Sequence, residues 1–226
     1  MRKWFLSLGA GLAFFVIVLQ PTKAQSPIMV KLGAQHFTNG STVGAGTFNI
    51  TDIGQPAPFN MFCGSDTTGP NCSATWTFHY AVPSFTIYGA SLTLGILDID
   101  SAAPGNQVAS FTLNGSYDLT SVLNTASEGL NGGTGAPEKQ YDVLTITIPA
   151  SDFAALAGGS ATFALTLQGP GLATPTMLNP TGRTPFNGAG LDFSTLNIVS
   201  PEISCWMLFL SGMLLIGIKL ILSKLA

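Results

Sequence analysis

The fold of this chain is most constrained by short segments in which apolar and polar side chains alternate. One such segment reads Thr75-Trp76-Thr77-Phe78-His79-Tyr80, with an aromatic ring at every second position. Successive side chains of a β-strand point to opposite faces, so this pattern predicts a half-buried strand. Glycine, proline and asparagine residues lie between this segment and the next ones, and they predict turns there. Further strand segments lie at 84–98, 108–113, 141–148, 161–167 and 191–198.

This series of short strands predicts a mainly β body, an antiparallel β-sandwich of jelly-roll type over residues 25–199. Two short helices are expected within it, over 119–126 and 151–156. Ser151 is the expected N-cap of the second helix. Asp152 follows it, where the positive end of the helix dipole stabilises a carboxylate. No repeat or linker divides this body, so we expect a single domain.

Charge is sparse and unevenly distributed along the chain. Only 8% of the residues are charged, against about a quarter in ordinary soluble proteins. Between its two ends the chain has three basic residues and all eleven acidic ones, so this part has a formal charge of −8. Such a surface repels phosphate backbones and excludes nucleic acid as an expected partner.

The N-terminal residues resemble a secretory signal peptide in their order of charge and hydropathy. Arg2 and Lys3 precede an apolar stretch over 4–19, and small residues lead to Ala24. This order predicts a signal peptide over 1–24 that signal peptidase removes. The alternative is a membrane anchor that the protein retains.

The C-terminal end carries a second apolar run, from Ile203 to Ile218, followed by Lys219 and Lys224. The run is short for a membrane span, but a lysine side chain can reach the interface and extend it. Basic residues behind the run favour a cytoplasmic end, so we predict a transmembrane helix with the body outside. A buried core helix is the alternative.

The C-terminal residues also match the order of a known sorting signal. Ser200-Pro201-Glu202 precedes the apolar run, and Lys219 and Lys224 follow it. This order resembles the PEP-CTERM sorting tail of bacterial exported proteins. Ile203 stands where the family has a second proline, and two separated lysines replace its arginine cluster. The resemblance implies recognition by an exosortase over 200–226 and delivery to the cell surface or extracellular matrix.

A second stretch, Ala90 to Gly105, followed by Asp118-Leu119-Thr120, resembles the ectodomain found on many PEP-CTERM proteins. This similarity extends over about residues 73–199. It implies the fold and the cellular context, and no defined activity.

Two cysteines lie close together in the body of the chain. Cys63 and Cys72 flank a short loop that contains glycine and proline. In an oxidising compartment such a pair forms a disulfide, which is our prediction here. Two free thiols are the alternative.

Asp98, Asp100 and Ser101 form the most suggestive polar cluster. The two-residue spacing of Asp98 and Asp100 places both carboxylates on one side of a strand end, where oxygen ligands could hold calcium. The alternative is an acidic strand end that leads into a turn without a ligand. Calcium is the one cofactor considered; otherwise none is expected.

Catalysis has little support in the sequence. The two histidines are His36 and His79, and no nucleophile elbow, zinc-protease motif or phosphate loop is present. Asp98 and Asp100 would be the first pair to test as glycosidase carboxylates. Trp76 is the one ectodomain tryptophan that could offer a sugar platform, although its alternation also suits a core face.

These observations favour an exported, non-enzymatic surface or matrix protein with a structural or adhesive role. Its expected partners are the membrane and, as a further candidate, exopolysaccharide. The alternative function is a calcium-assisted carbohydrate-binding module.

Overall fold

The computed structural model describes residues 26–65, 69–99, 106–128, 139–169 and 186–200. This part of the chain is mainly β, as predicted. Its strands are β1 (Ile28–Gly33), β2 (Ser41–Thr42), β3 (Phe62–Cys63), β4 (Ser73–His79), β5 (Gly89–Leu97), β6 (Val108–Leu113), β7 (Tyr117–Asp118), β8 (Gln140–Thr147), β9 (Ser160–Leu167) and β10 (Ala189–Val199). Its helices are α1 (Ala45–Thr51), α2 (Thr120–Glu128) and a 3-10 helix at Ala150–Leu156.

Within these ranges, no helix has both the length and the apolar character that a membrane crossing requires. The predicted signal peptide over 1–24 lies outside the described residues. The same holds for the predicted sorting tail beyond Ser200, including Pro201, Glu202, Lys219 and Lys224. These assignments therefore stay predictions.

The strands form two antiparallel sheets. The first sheet has the order β1-β10-β5-β8-β2, with β3 also paired to β10, and the second has the order β4-β9-β6-β7. Alternate residues of both sheets meet in one hydrophobic core. Its members include Trp76, Phe78, Leu92, Leu94, Ile96, Phe111, Phe163, Leu165, Leu196 and Ile198. The core therefore lies between the sheets, because each strand turns its apolar positions inward.

The 3-10 helix corrects one prediction. Its N-cap is Pro149, with no capping hydrogen bond from a side chain, rather than Ser151. The Ser151 hydroxyl donates instead to the neighbouring Asp152 carboxylate at 2.8 Å. Proline suits this position because its fixed φ directs the chain into the first turn. Asp152 does lie in the first turn, as predicted.

A disulfide joins Cys63 to Cys72, with the two Cα atoms 5.0 Å apart. Cys63 ends β3, which pairs with β10 of the first sheet, and Cys72 directly precedes β4 of the second sheet. The predicted bridge therefore ties the two sheets together at one end of the core.

We expect the double variant Cys63→Ala, Cys72→Ala to have a free energy of unfolding about 2–3 kcal/mol lower than the wild type, because the bridge restricts the unfolded chain. Urea unfolding of both proteins measures this difference, and reduction of the wild type should reproduce it. A thiol titration of the unfolded, unreduced chain that found three thiols would contradict the bridge, since the sequence has three cysteines in all.

The outward face of the first sheet divides into two parts. At one end it carries hydroxyl side chains, and Thr93 and Thr145 bond across β5 and β8 at 2.9 Å. At the other end it is apolar, and side chains of residues 34–52, here called the covering segment, pack on it. Strand β2 lies within this segment and pairs with β8 at the edge of the same sheet. The second core so formed consists of Val43, Phe48, Leu97, Tyr141 and Phe193. This covered end of the sheet is where polar side chains are also buried.

Candidate functional site

The most unusual polar group of this region is Asp192, which lies at a β-bulge in β10. Leu191 pairs with Ile96 of β5 and Phe193 pairs with Gly95, so Asp192 has no partner of its own in that register. A bulge redirects the side chain of its additional residue. Here it turns a carboxylate with no exposed surface toward the covering segment.

Two hydrogen bonds hold one oxygen of this carboxylate. Asp192 Oδ2 accepts from the Tyr141 hydroxyl at 2.7 Å and from the backbone N–H of His36 at 3.0 Å. Burial, and then the neighbouring Asp192, raise the pKa of the Tyr141 hydroxyl, which therefore stays protonated as a donor. Tyr141 thus fixes the orientation of the buried carboxylate.

Glycine at position 95 makes this arrangement possible. Tyr141 belongs to β8 and Asp192 to β10, and β5 runs between these two strands. A Cβ atom on Gly95 would overlap the Tyr141 hydroxyl and the Phe193 ring. The Tyr141 side chain reaches across β5 because the central strand carries no side chain at that point.

His36 and Asp52 complete the cluster from the covering segment. His36 follows β1, and Asp52 is the C-cap of α1, where its backbone N–H bonds to the Phe48 carbonyl. The His36 Nδ1 atom lies 2.5 Å from Asp52 Oδ1 and 3.1 Å from Asp192 Oδ1. One imidazole therefore bridges two carboxylates that come from separate parts of the chain.

The electrostatics of this cluster depend on its burial. Both carboxylate side chains are fully buried, whereas the His36 side chain keeps 28% of its surface exposed. Burial and the charge of Asp192 raise the pKa of Asp52 to about 6, although the hydrogen bond from His36 opposes this shift. Two adjacent buried carboxylates thus repel one another unless a proton or a cation lies between them.

The cluster opens to solvent on the His36 side. A shallow cleft of about 380 Å³ begins at His36 and runs along the covering segment between Phe37 and Thr47. One nitrogen of His36 and one oxygen each of Asp52 and Asp192 lie within 4.8 Å of one another. These three groups are the described residues that could hold a metal ion together.

Of the predicted calcium cluster, the structure describes only Asp98. Strand β5 ends at Leu97, and Asp98 adopts a left-handed conformation with φ of 60°. The strand alternation that would place Asp98 and Asp100 on one side therefore ends before Asp98. Asp98 is buried, and its Oδ1 accepts from the backbone N–H of Lys139 at 2.8 Å. Asp100 and Ser101 lie outside the described residues, so a calcium site there stays a prediction.

Trp76 is a core residue and not a surface platform. Its ring is 4% exposed and stacks on Phe111 and Phe163, with centroid distances of 6.2 and 5.9 Å. Phe59 contacts it edge-on. Because protein covers the ring, the sugar platform considered at this position is corrected to a packing role. His79 is exposed at the end of β4.

The cluster of His36, Asp52, Asp192 and Tyr141 was not predicted from the sequence. No local spacing marks it, because 156 residues separate His36 from Asp192. One signal was present in β10. Leu191 and Leu196 both lie in the main core, and strict alternation cannot place both on one face. An odd interval of this kind indicates an additional residue, and hence a bulge.

Comparison with known proteins does not assign a chemistry to this cluster. No protein-family model, no curated protein and no solved structure matches the chain. Its functional interpretation therefore rests on the geometry of its own side chains.

Proposed function

We propose that this chain is an exported, non-enzymatic protein of the cell surface or extracellular matrix, with a structural or adhesive role. The observation that carries the proposal is the Cys63–Cys72 disulfide within a mainly β body. Disulfides form and persist in oxidising compartments outside the cytosol. The signal-like N-terminus and the sorting-like C-terminus agree with this location.

The outward faces of the sheets support a structural role. They carry hydroxyl pairs across neighbouring strands, such as Thr77 with Thr162 at 2.9 Å and Ser73 with Thr166 at 3.3 Å. Thr93 and Thr145 form a similar pair on the other sheet. Such pairs stabilise a sheet and leave a hydrogen-bonding surface with few charges. This surface suits contact with neutral polymers such as exopolysaccharide.

We further propose that the body is of jelly-roll type. Between β4 and β10, the long strands alternate between the two sheets: β4, β6 and β9 lie in one, and β5, β8 and β10 in the other. Repeated crossing from sheet to sheet is how a double-sheet jelly roll covers both faces of one core. We also propose a helix at each end of the chain, outside this body: an N-terminal signal peptide that is removed and a C-terminal sorting tail.

The test is the intact mass of the protein recovered from its native host, together with its cell fraction. We expect a chain that begins near Gln25 and ends near Pro201 or Glu202, in the surface or matrix fraction. A chain that keeps its C-terminus in the membrane fraction would replace sorting by simple anchoring. An uncleaved chain in the cytoplasm would overturn the proposal of export.

A further inference from the structure

The buried cluster under the covering segment has the composition of a metal site. We propose that His36, Asp52 and Asp192 bind one divalent transition-metal ion, with zinc as the expected occupant. The ligand atoms come from the loop after β1, the C-cap of α1 and the bulge of β10, and they already lie within 4.8 Å of one another. This proposal does not depend on the proposed export or sorting.

The donor set distinguishes between metals. Calcium and magnesium prefer six or more oxygen ligands, whereas an imidazole nitrogen with carboxylate oxygens suits zinc and neighbouring transition metals. Three protein ligands leave a fourth, tetrahedral position for water or another ligand. The cleft begins at His36, which is the one ligand of the three whose side chain is partly exposed to solvent.

An independent observation points to a missing partner. The Oδ2 atom of Asp52 is buried and has no hydrogen-bond partner among the residues that the structure describes. The Asp52 side chain has no exposed surface, so water does not satisfy this oxygen from outside. A buried carboxylate oxygen without a partner destabilises the fold unless a proton or a cation compensates it, and a bound metal ion would do so.

The groups around the ligands have the arrangement that orients a metal site. The Tyr141 hydroxyl and the His36 backbone N–H occupy Asp192 Oδ2, which leaves Oδ1 facing the imidazole. Hydrogen bonds of this kind hold ligands in place and are a regular part of protein metal sites. A bound ion would fasten the covering segment to the first sheet, since two ligands belong to the segment and one to β10.

The experiment measures zinc binding to the full-length chain, purified in detergent without a histidine tag. The Cys205→Ser background removes the one cysteine outside the disulfide, which could otherwise bind zinc. After treatment with a chelator, titration calorimetry with zinc chloride should give one ion per chain. Thermal unfolding should shift upward by roughly 5–10 °C when free zinc is a hundredfold above its Kd. Calcium chloride should cause no comparable shift.

Three variants locate the site. Asp52→Asn and His36→Gln each remove a ligand, and we expect either to weaken zinc binding at least tenfold. His79→Ala is the matched control, because His79 is the other histidine of the chain and lies exposed on the second sheet. It should bind zinc like the wild type. Circular dichroism of each chelated variant shows whether it remains folded.

The proposal is overturned if the wild type neither binds zinc nor shifts its unfolding temperature. It is also overturned if Asp52→Asn and His36→Gln bind zinc as tightly as the wild type, or if His79→Ala alone loses binding. Should one ligand variant fail to fold, the other ligand variant, compared with His79→Ala, still decides the question. A preference for calcium over zinc would contradict the proposed donor set.

Discussion

Replacement of Trp76 by alanine is expected to lower the free energy of unfolding by about 3–5 kcal/mol. The indole ring is buried against both Phe111 and Phe163, and Phe59 contacts it edge-on. Removing it opens a cavity in the main core, and stiff aromatic neighbours can fill only part of that space. Urea unfolding followed by circular dichroism measures the loss.

Trp76→Phe is the matched control for this substitution. The indole Nε1 is buried without a hydrogen-bond partner among the described residues, so phenylalanine removes an uncompensated polar group while it keeps an aromatic ring. We expect a cost below about 1.5 kcal/mol, as for substitutions that nearly conserve volume. A stable Trp76→Ala protein that had lost binding to a glycan would contradict the core role and restore the sugar platform.

Replacement of Gly95 by alanine is expected to destabilise the protein by about 3 kcal/mol or more, since overpacking and a lost hydrogen bond to a carboxylate each cost of the order of 1–3 kcal/mol. The added methyl group overlaps both the Tyr141 hydroxyl and the Phe193 ring. Tyr141 must then withdraw from Asp192, which leaves a buried carboxylate with one donor fewer. Chemical unfolding gives the size of the effect.

Gly89→Ala is the control in the same strand. Its Cβ would meet only the Val199 Cβ atom at 3.9 Å, which is an ordinary contact. We expect this variant to change stability by less than about 0.5 kcal/mol. In a Tyr141→Phe background the effect of Gly95→Ala should also be smaller, because the hydroxyl is gone. Equal stabilities of Gly95→Ala and Gly89→Ala would refute the crossing of Tyr141 over β5.

The strands of the main core could be predicted because their signal is local. The predicted segment 108–113 coincides with β6, and those around Trp76 and Phe163 agree with β4 and β9 to within two residues. In each strand most inward residues are large and apolar, while most outward ones are threonine, serine or alanine. Burial of one face is sufficient to impose this pattern on the sequence.

The covering segment carries no comparable pattern. Helix α1 reads Ala-Gly-Thr-Phe-Asn-Ile-Thr, a sequence poor in helix formers and without an apolar stripe. Its one buried side chain is Phe48, whose ring lies against the backbone of β10 at Gly190. A Cβ there would overlap the ring, so this close contact requires glycine. Tertiary packing therefore holds a helix that propensity alone would not predict.

The sequence by itself determined the fold class, the position of the main strands and the disulfide, because alternation and close cysteine spacing are properties of neighbouring residues. Only the tertiary structure decided that Asp192 lies at a bulge, that Tyr141 crosses over Gly95 to reach it, and that His36 contacts both Asp52 and Asp192. These positions depend on the register between strands and on how the covering segment packs. The interactions that set this register and packing form between residues far apart in the chain, so no local sequence pattern predicts them.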